Sequence, residues 1–555
     1  MPEFATLITF RELTGTEPSL DQLRTTLAPF GLHSVLTGMA RLTALLGTWQ
    51  NDVDLTRDRQ LCQQHLPSYS PVIERLRALD RNRVALTRLS ILFVLKQACL
   101  VCPLDGQGVS SPDEVERVLS CCLMANDLLV GRAPPQDPST LETAASLLPF
   151  SDYLPQDCYP KDMARSVMLF EDIGPALASE PGFIDLGAEF QASVGVAPRE
   201  FSELAFCAAL RFVANIEQQF QSPGDALVLR PQFFQQTAIP LERVAAFLQR
   251  LAVPEAALAE HVGTRRDSDG DFTLFQQYPL VQFAADSFLC LDPGFMLDKA
   301  GRSLYWTLHA SFDRTRRADL MSFWGRVYER YVAWLFEQSY QGRGRWVFSP
   351  RFPDGVQAFD GCLLEGSSLV VFEFKASILS VAAKYGFDAD RLGVELKEKV
   401  IEGTPGRPKG LEQLRRSLLR FLDGEEIDGL GGTTLKKIYP VMVFWDQSFA
   451  APCLGCYYNE NFDRVGMRKR GGPAVTPVFT LTIADLENVL PHTIAHCFTD
   501  VLDSYWRANR PMVVSLSTSN VPLLHDGLRG RDPVGDRFSR FSDELQRRLF
   551  PNDLE

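Results

Sequence analysis

Residues 359–377, FDGCLLEGSSLVVFEFKAS, constrain this chain more than any other stretch. The second half, residues 369–376, is rich in Val and Phe and places Glu373 and Lys375 two positions apart, which predicts a largely buried strand. Gly366-Ser367 supplies a two-residue turn, and a first strand over residues 356–364 precedes it. A turn centred there sets the register: Leu364 faces Leu369, Leu363 faces Val370, and Asp360 faces Glu373. Opposed residues on one face of a sheet have Cβ atoms about 4.5–5.5 Å apart. Two carboxylates that close repel unless a positive charge stands between them. Lys375, two residues beyond Glu373, shares their face. Two acids and a lysine so arranged make a site for a divalent cation.

The chain around this hairpin has 555 residues, enough for two or more regions with cores of their own. Hydrophobic residues at 45% and charged residues at 23% are those of a soluble globular protein. No run of about 18 uncharged apolar residues occurs, so no membrane span is expected. The start, MPEFATLITFREL, lacks a basic segment followed by an apolar one, so no signal peptide is expected. Twelve cysteines without framework spacing then favour free thiols in a reducing cytoplasm. A net charge of −13 argues against coating nucleic acid by bulk attraction, though it leaves room for a local basic groove.

Residues 1–130 read as a helical region, with apolar periodicity over 36–46 and 86–100. GRAPPQDPST, residues 131–140, has the composition of a linker. A second, mostly helical region covers 141–315, with a short β-hairpin near 278–291 turning at Ala285-Asp286. From about 316 to 510 the order changes to helix, strands, helix, strand, and 511–555 forms a C-terminal tail or helix. The first helix of that series runs over 320–340. A strand follows at 345–349, then the hairpin, then a helix over 410–422. IYPVMVFW, residues 438–445, is a strand whose internal Pro440 predicts a start at Val441. The expected fold of 316–510 is therefore α/β: a mixed central sheet flanked by helices, with an αβββαβ core.

Asp360 on the first hairpin strand, Glu373-Phe374-Lys375 on the second and this order of elements resemble the PD-(D/E)xK, or restriction-endonuclease-like, nuclease superfamily. The resemblance covers roughly residues 315–500. It implies that Asp360, Glu373 and the carbonyl of Phe374 hold Mg²⁺, with Mn²⁺ a possible substitute, and that Lys375 positions a water or the scissile phosphate. Pro353-Asp354 spells the literal Pro-Asp of the superfamily's name. In the hairpin register, however, Asp354 falls opposite a position past the expected strand end. Asp360 is therefore the first metal acid, and Asp354 belongs to a Pro-Asp-Gly turn.

Two flanking residues extend the candidate site. Glu329 lies on the preceding helix with Gly325, Val332, Ala333 and Phe336 as helical neighbours, a small or apolar stripe that would half-bury an acid. It is either an extra metal or water ligand, as in many members of the superfamily, or a salt-bridge partner of Arg326 or Arg330. Gln413 shares a helix face with Gly410, Arg416, Ser417 and Arg420. Some superfamily branches carry a glutamine there with a tyrosine four residues on, where this chain has Ser417. Arg416 and Arg420, one turn apart, make either a phosphate track or a solvated face. The glycine-flanked loop carrying Arg468, Lys469 and Arg470 either reaches nucleic acid or simply solubilises.

Cys453-x-x-Cys456 and His492-x-x-x-His496 are four zinc-type donors, but their long separation and the break at Pro491 favour buried thiols and ordinary histidines over structural Zn²⁺. No Walker-type phosphate loop and no G-x-S-x-G element occurs. The resemblance thus implies a Mg²⁺-dependent nuclease acting most readily on DNA, in bacterial restriction, anti-phage defence or repair. The helical N-terminal part would select substrate, sense a trigger or hold a partner protein, and a homodimer is compatible with two-strand cutting. The alternatives are a nuclease-like module that binds nucleic acid or protein without cutting, and a structural subunit.

Overall fold

A computed structural model of the chain describes residues 6–46, 83–130, 137, 139–153, 159–213, 227–235, 237–264, 268–404, 407–431, 434–464, 472–510, 514, 516, 519, 521–524, 527 and 529–549. Most of the expected linker at 131–140, and Arg468, Lys469 and Arg470, lie outside them. The architecture is mostly helical, with mixed sheets set into it and a helical N-terminal part. In the N-terminal part, Leu32–Leu46, Arg88–Val101 and Pro112–Val130 pack together after two shorter helices, Phe10–Thr14 and Leu20–Leu27. Further on, Leu280–Ala284 and Ser287–Cys290 form the expected antiparallel hairpin around Ala285-Asp286, inside a small four-stranded sheet. Among the described residues no helix is long and apolar enough to cross a membrane.

The larger sheet follows the long helix α1 (Arg314–Ser339). Its strands are β1 (Arg345–Phe348), β2 (Gly361–Glu365) and β3 (Ser368–Lys375), then, after helix α2 (Gly410–Leu422), β4 (Lys437–Phe444), β5 (Ala474–Val475) and β6 (Phe479–Thr482). Helices α3 (Ile483–Val489) and α4 (Phe498–Ala508) follow. The strand order is β5-β4-β3-β2-β1, with β6 also paired to β4. The pairs β1/β2 and β2/β3 are antiparallel, whereas β4 runs parallel to β3, β5 and β6.

The two-residue period of the strands sorts their side chains into two cores. Val370, Phe372, Phe374, Val441 and Val443 join a hydrophobic core with Tyr328, Val332 and Phe336 of α1, and that core runs from Ile8 to Leu545. Leu369, Val371, Ile438, Met442 and Phe444 face a second core with Leu411, Leu414 and Leu418 of α2. Buried Cys453 belongs to this second core, while Leu490, two residues before His492, belongs to the first.

Pro440 corrects one expectation, since β4 runs straight through it and pairs it with Val371. A proline inside a strand is tolerated where no partner needs its missing N–H. The β4 carbonyl of Ile438 accepts from Thr476 N–H, so Ile438 and Pro440 turn their main-chain groups toward β5 and β6. Pro440 falls in the gap between those two short strands, because β5 ends at Val475, opposite Ile438, and β6 begins at Phe479, opposite Val441.

Gly410, the first residue of α2, has φ +57°, and a Cβ there would lie 1.7 Å from the Val400 carbonyl oxygen. Gly410→Ala is expected to cost about 4 kcal/mol or more, combining main-chain overlap with left-handed strain. A fall in the apparent melting temperature checks this, and an unchanged midpoint would count against the close approach.

Burial lifts the Glu203 carboxyl to about 7, against the opposing pull of Arg548. The Arg548 guanidinium stands 3.2 Å away. A carboxyl whose folded pKa lies above its unfolded value takes up a proton on folding. Its stabilising contribution is full below about 4.5 and is lost as pH rises through about 7. Glu203→Gln should therefore raise the apparent melting temperature at pH 8.5 by a few degrees and leave it nearly unchanged at pH 4; melting curves at the two pH values check this.

Candidate active site

The hairpin turn carries the positive φ (58°) at Gly366 that two-residue turns need at their first central position. The register is the expected one, Leu364 with Leu369 and Leu363 with Val370, out to Gly361 with Phe372. There the ladder stops. Asp360 N–H donates to the Phe372 carbonyl at 3.1 Å, so Asp360 leaves the strand where the next pair, with Glu373, would have formed. Its carboxylate reaches across instead, accepting from Phe374 N–H at 2.6 Å and from Gln357 Nε2 at 2.8 Å. The end of β3 thus runs past β2, and a side chain takes the place of a strand partner.

This arrangement also aims the Phe374 carbonyl. Trp445 N–H donates to the Lys375 carbonyl at 2.9 Å, on the β4 side of the strand. Successive residues of a strand alternate their main-chain groups between its two edges. The N–H and C=O of Phe374 therefore both leave on the Asp360 side. Glu373, only 1% exposed, extends the face of Leu369 and Val371, and Lys375 Nζ donates to its Oε1 at 2.5 Å.

Electrostatics bind these groups into one cluster. Burial and then the neighbouring Asp360 push the Glu373 carboxyl up to about 8, with Lys375 pulling the other way. Burial raises Asp360 against the opposing effects of Lys375, Phe374 N–H and Gln357. On α1, burial and then Asp360 push Glu329 up to about 7, again opposed by Lys375. Burial alone would lower the Lys375 ammonium, yet the charges of Glu373, Asp360 and Glu329 raise it. Three acids converge on one lysine in a site poor in water, so the cluster is short of positive charge.

The two expected salt-bridge partners of Glu329 are engaged elsewhere, Arg326 with Glu180 and Arg330 with Glu337, both at 3.3 Å. Asp354 sits in the Pro-Asp-Gly turn, accepting from Val356 N–H at 3.0 Å. Gln413 is half-buried on α2, and none of the hydrogen bonds among the described residues joins it to the cluster. Arg416 pairs with Glu412 at 2.7 Å. Arg420 pairs with Glu425 and Asp354 and lies 4.0 Å over the Phe352 ring. Both arginines on that face thus already have internal partners, and Ser417, expected beside them, is buried in the helix's packed side.

Two neighbours escaped the sequence reading. Gln357 comes from an irregular loop with no periodicity to mark it. Tyr328, on α1 beside Glu329, buries a hydroxyl that has no hydrogen-bond partner among the described residues. Among the described residues no group of three or more His, Cys, Asp or Glu side chains is gathered closely enough to hold a metal ion. The donors at the end of β3 are two carboxylates, Asp360 and Glu373, and the Phe374 carbonyl, with the Glu329 carboxyl coupled to them from α1. No protein-family model, no curated protein and no solved structure matches this chain.

Proposed function

We propose that this chain is a metal-dependent nuclease that hydrolyses phosphodiester bonds, with DNA as its substrate and restriction, anti-phage defence or repair as its setting. The observation that carries the reading is the convergence of Asp360, Glu373 and Lys375 where β3 outruns β2. It has the element order and residue types that resemble the PD-(D/E)xK superfamily. The donor set suits a hard cation: Mg²⁺ prefers oxygen ligands and takes only one or two carboxylates. Asp360, Glu373 and the Phe374 carbonyl would hold it, with Glu329 as a further ligand from the helix side and Mn²⁺ as a substitute. Bound there, the ion supplies a water of lowered pKa and neutralises phosphate charge.

The remaining work falls to the chain itself. Lys375, the cation of the cluster, orients the attacking oxygen or the scissile phosphate by charge-assisted hydrogen bonding. Asp360 keeps the end of β3 in place through Phe374 N–H, and Gln357 in turn orients Asp360. Tyr328, Phe374 and Trp445 pack edge-to-face beside the cluster and keep that side apolar.

The test is to incubate the purified protein with supercoiled, linear and single-stranded DNA and with RNA, in Mg²⁺, Mn²⁺ or EDTA. Cutting that needs a divalent ion supports the proposal. Binding without cutting in every metal would instead favour a nuclease-like module that only holds nucleic acid.

A further inference from the structure

A cavity of about 680 Å³ opens between the helical part of the chain and the C-terminal ends of the parallel strands. Its floor is residues 378–385 after β3, Trp445 and Asp446 after β4, and the start of α3 after β6. Crevices beyond the carboxyl ends of parallel strands are where open α/β sheets usually take ligands. The volume lies within the range of small-molecule sites. Asp360, Glu373 and Lys375 do not line it.

The charge of the lining is unlike that of the chain. Seven Lys and Arg side chains face the cavity against three carboxylates, in a protein whose net charge is −13. All three acids already have cationic partners. Asp162 pairs with Arg165 and Arg302, Asp298 with Arg302 at 2.5 Å, and Asp446 with Lys384 at 3.5 Å. Three of these cations meet no carboxylate in an ion pair among the described residues. Arg250 donates to the Thr307 carbonyl and Ser311 Oγ, and Arg317 to the carbonyls of His309 and Ala310. Lys299 is the most telling. It is only 5% exposed, lines the cavity, and no hydrogen bond or ion pair among the described residues engages its ammonium. Burial lowers its pKa to about 8 despite the opposing charge of Asp298, whose carboxylate is already paired with Arg302. A buried cation without a partner is costly, and an anion in the cavity would relieve it.

The lining also offers flat apolar faces. Trp306 stands 39% exposed, and Tyr278 and Tyr385 share the wall with the amides of Gln276 and Gln277. Aromatic faces beside arginine and lysine suit a base joined to phosphate.

We propose that this cavity binds a small nucleoside phosphate, its phosphates on Lys299, Arg250 and Arg317 and its base against Trp306. The site adjoins the acid–lysine cluster at Trp445 without sharing its acids or Lys375, and stands whether or not that cluster cuts nucleic acid. The same chemistry could arrive as a free nucleotide or as the end of a nucleic-acid strand, and the free nucleotide fits the bounded volume.

Calorimetry on the full-length protein in EDTA and low salt tests this, because it reads binding and not cleavage. The probes are AMP, ATP, GMP, GTP, inorganic phosphate and a 5′-phosphorylated single-stranded oligonucleotide. At least one free nucleotide is expected to bind well below ~1 mM and at least tenfold tighter than phosphate. Lys299→Met, which keeps length and burial, and Trp306→Ala, with melting curves to show that each variant is folded, should each weaken it about tenfold. The proposal is overturned if no nucleotide binds below ~1 mM, if phosphate binds as tightly, if both variants bind like the parent, or if only the oligonucleotide binds.

Discussion

Asp360→Ala and Lys375→Met are each expected to reduce metal-dependent phosphodiester cleavage by about 10³-fold, but for different reasons. Asp360 is 6% exposed and joins the end of β3 through Phe374 N–H, so its loss removes a carboxylate and loosens the strand that bears Glu373. That variant should bind Mn²⁺ poorly as well as cut poorly. Lys375 is the cation among Asp360, Glu373 and Glu329. Removing it leaves the carboxylates in place and frees Glu373 from its 2.5 Å ion pair. Lys375→Met should therefore keep or improve Mn²⁺ binding while losing cleavage. Single-turnover cleavage with Mn²⁺ titration separates the two outcomes, and thermal melting shows whether each variant is folded. Cleavage retained in both variants would remove these residues from the active site.

The second large effect is one of stability. Glu487, on α3, is 1% exposed and accepts from Arg165 at 2.7 Å and from the Tyr331 hydroxyl at 2.6 Å. Arg165 also pairs with Asp162, and Tyr331 belongs to α1, so one carboxylate ties together three helices distant in sequence. Burial pushes the Glu487 carboxyl upward while Arg165 pulls it back, and both stay engaged because neither meets water. Glu487→Ala would leave the Arg165 guanidinium buried with Asp162 as its remaining acid. Breaking a buried pair from one side costs about 3–5 kcal/mol, and Glu487→Gln, which retains an acceptor for Tyr331, should cost less. Apparent melting temperatures of the two variants check the order. Equal and negligible shifts would mean that the network does not hold these three helices together.

Some of this architecture could be read directly from residues. The turn at Gly366-Ser367 and the two-residue alternation on either side are local, so the pairing of Leu363 and Leu364 followed from spacing alone. The same alternation put Glu373 and Lys375 on one face. The stripe around Glu329 on α1 was also legible, because helical periodicity places an acid without knowledge of what it meets. Long-range placement was not. Pro440 looked like a strand boundary because proline's missing N–H usually matters, and only the gap between β5 and β6 made it harmless. Arg416 and Arg420 looked like an open basic track, but Arg416 meets Glu412 on its own helix, and Arg420 meets Glu425 and the remote Asp354.

The sequence by itself determined the hairpin, its register and the residue types that make a cation site thinkable, since each depends on neighbours a few positions apart. Tertiary structure decided what those residues meet. It began β2 only at Gly361, one residue after Asp360, so that a carboxylate replaced a strand partner, and it set Glu329 against the cluster from another layer. It also left Lys299, more than seventy residues before Glu373, buried at the rim of the same sheet with no ion pair among the described residues. Burial and the distances between remote charges belong to the packed molecule, because solvent is excluded only once distant segments close over one another.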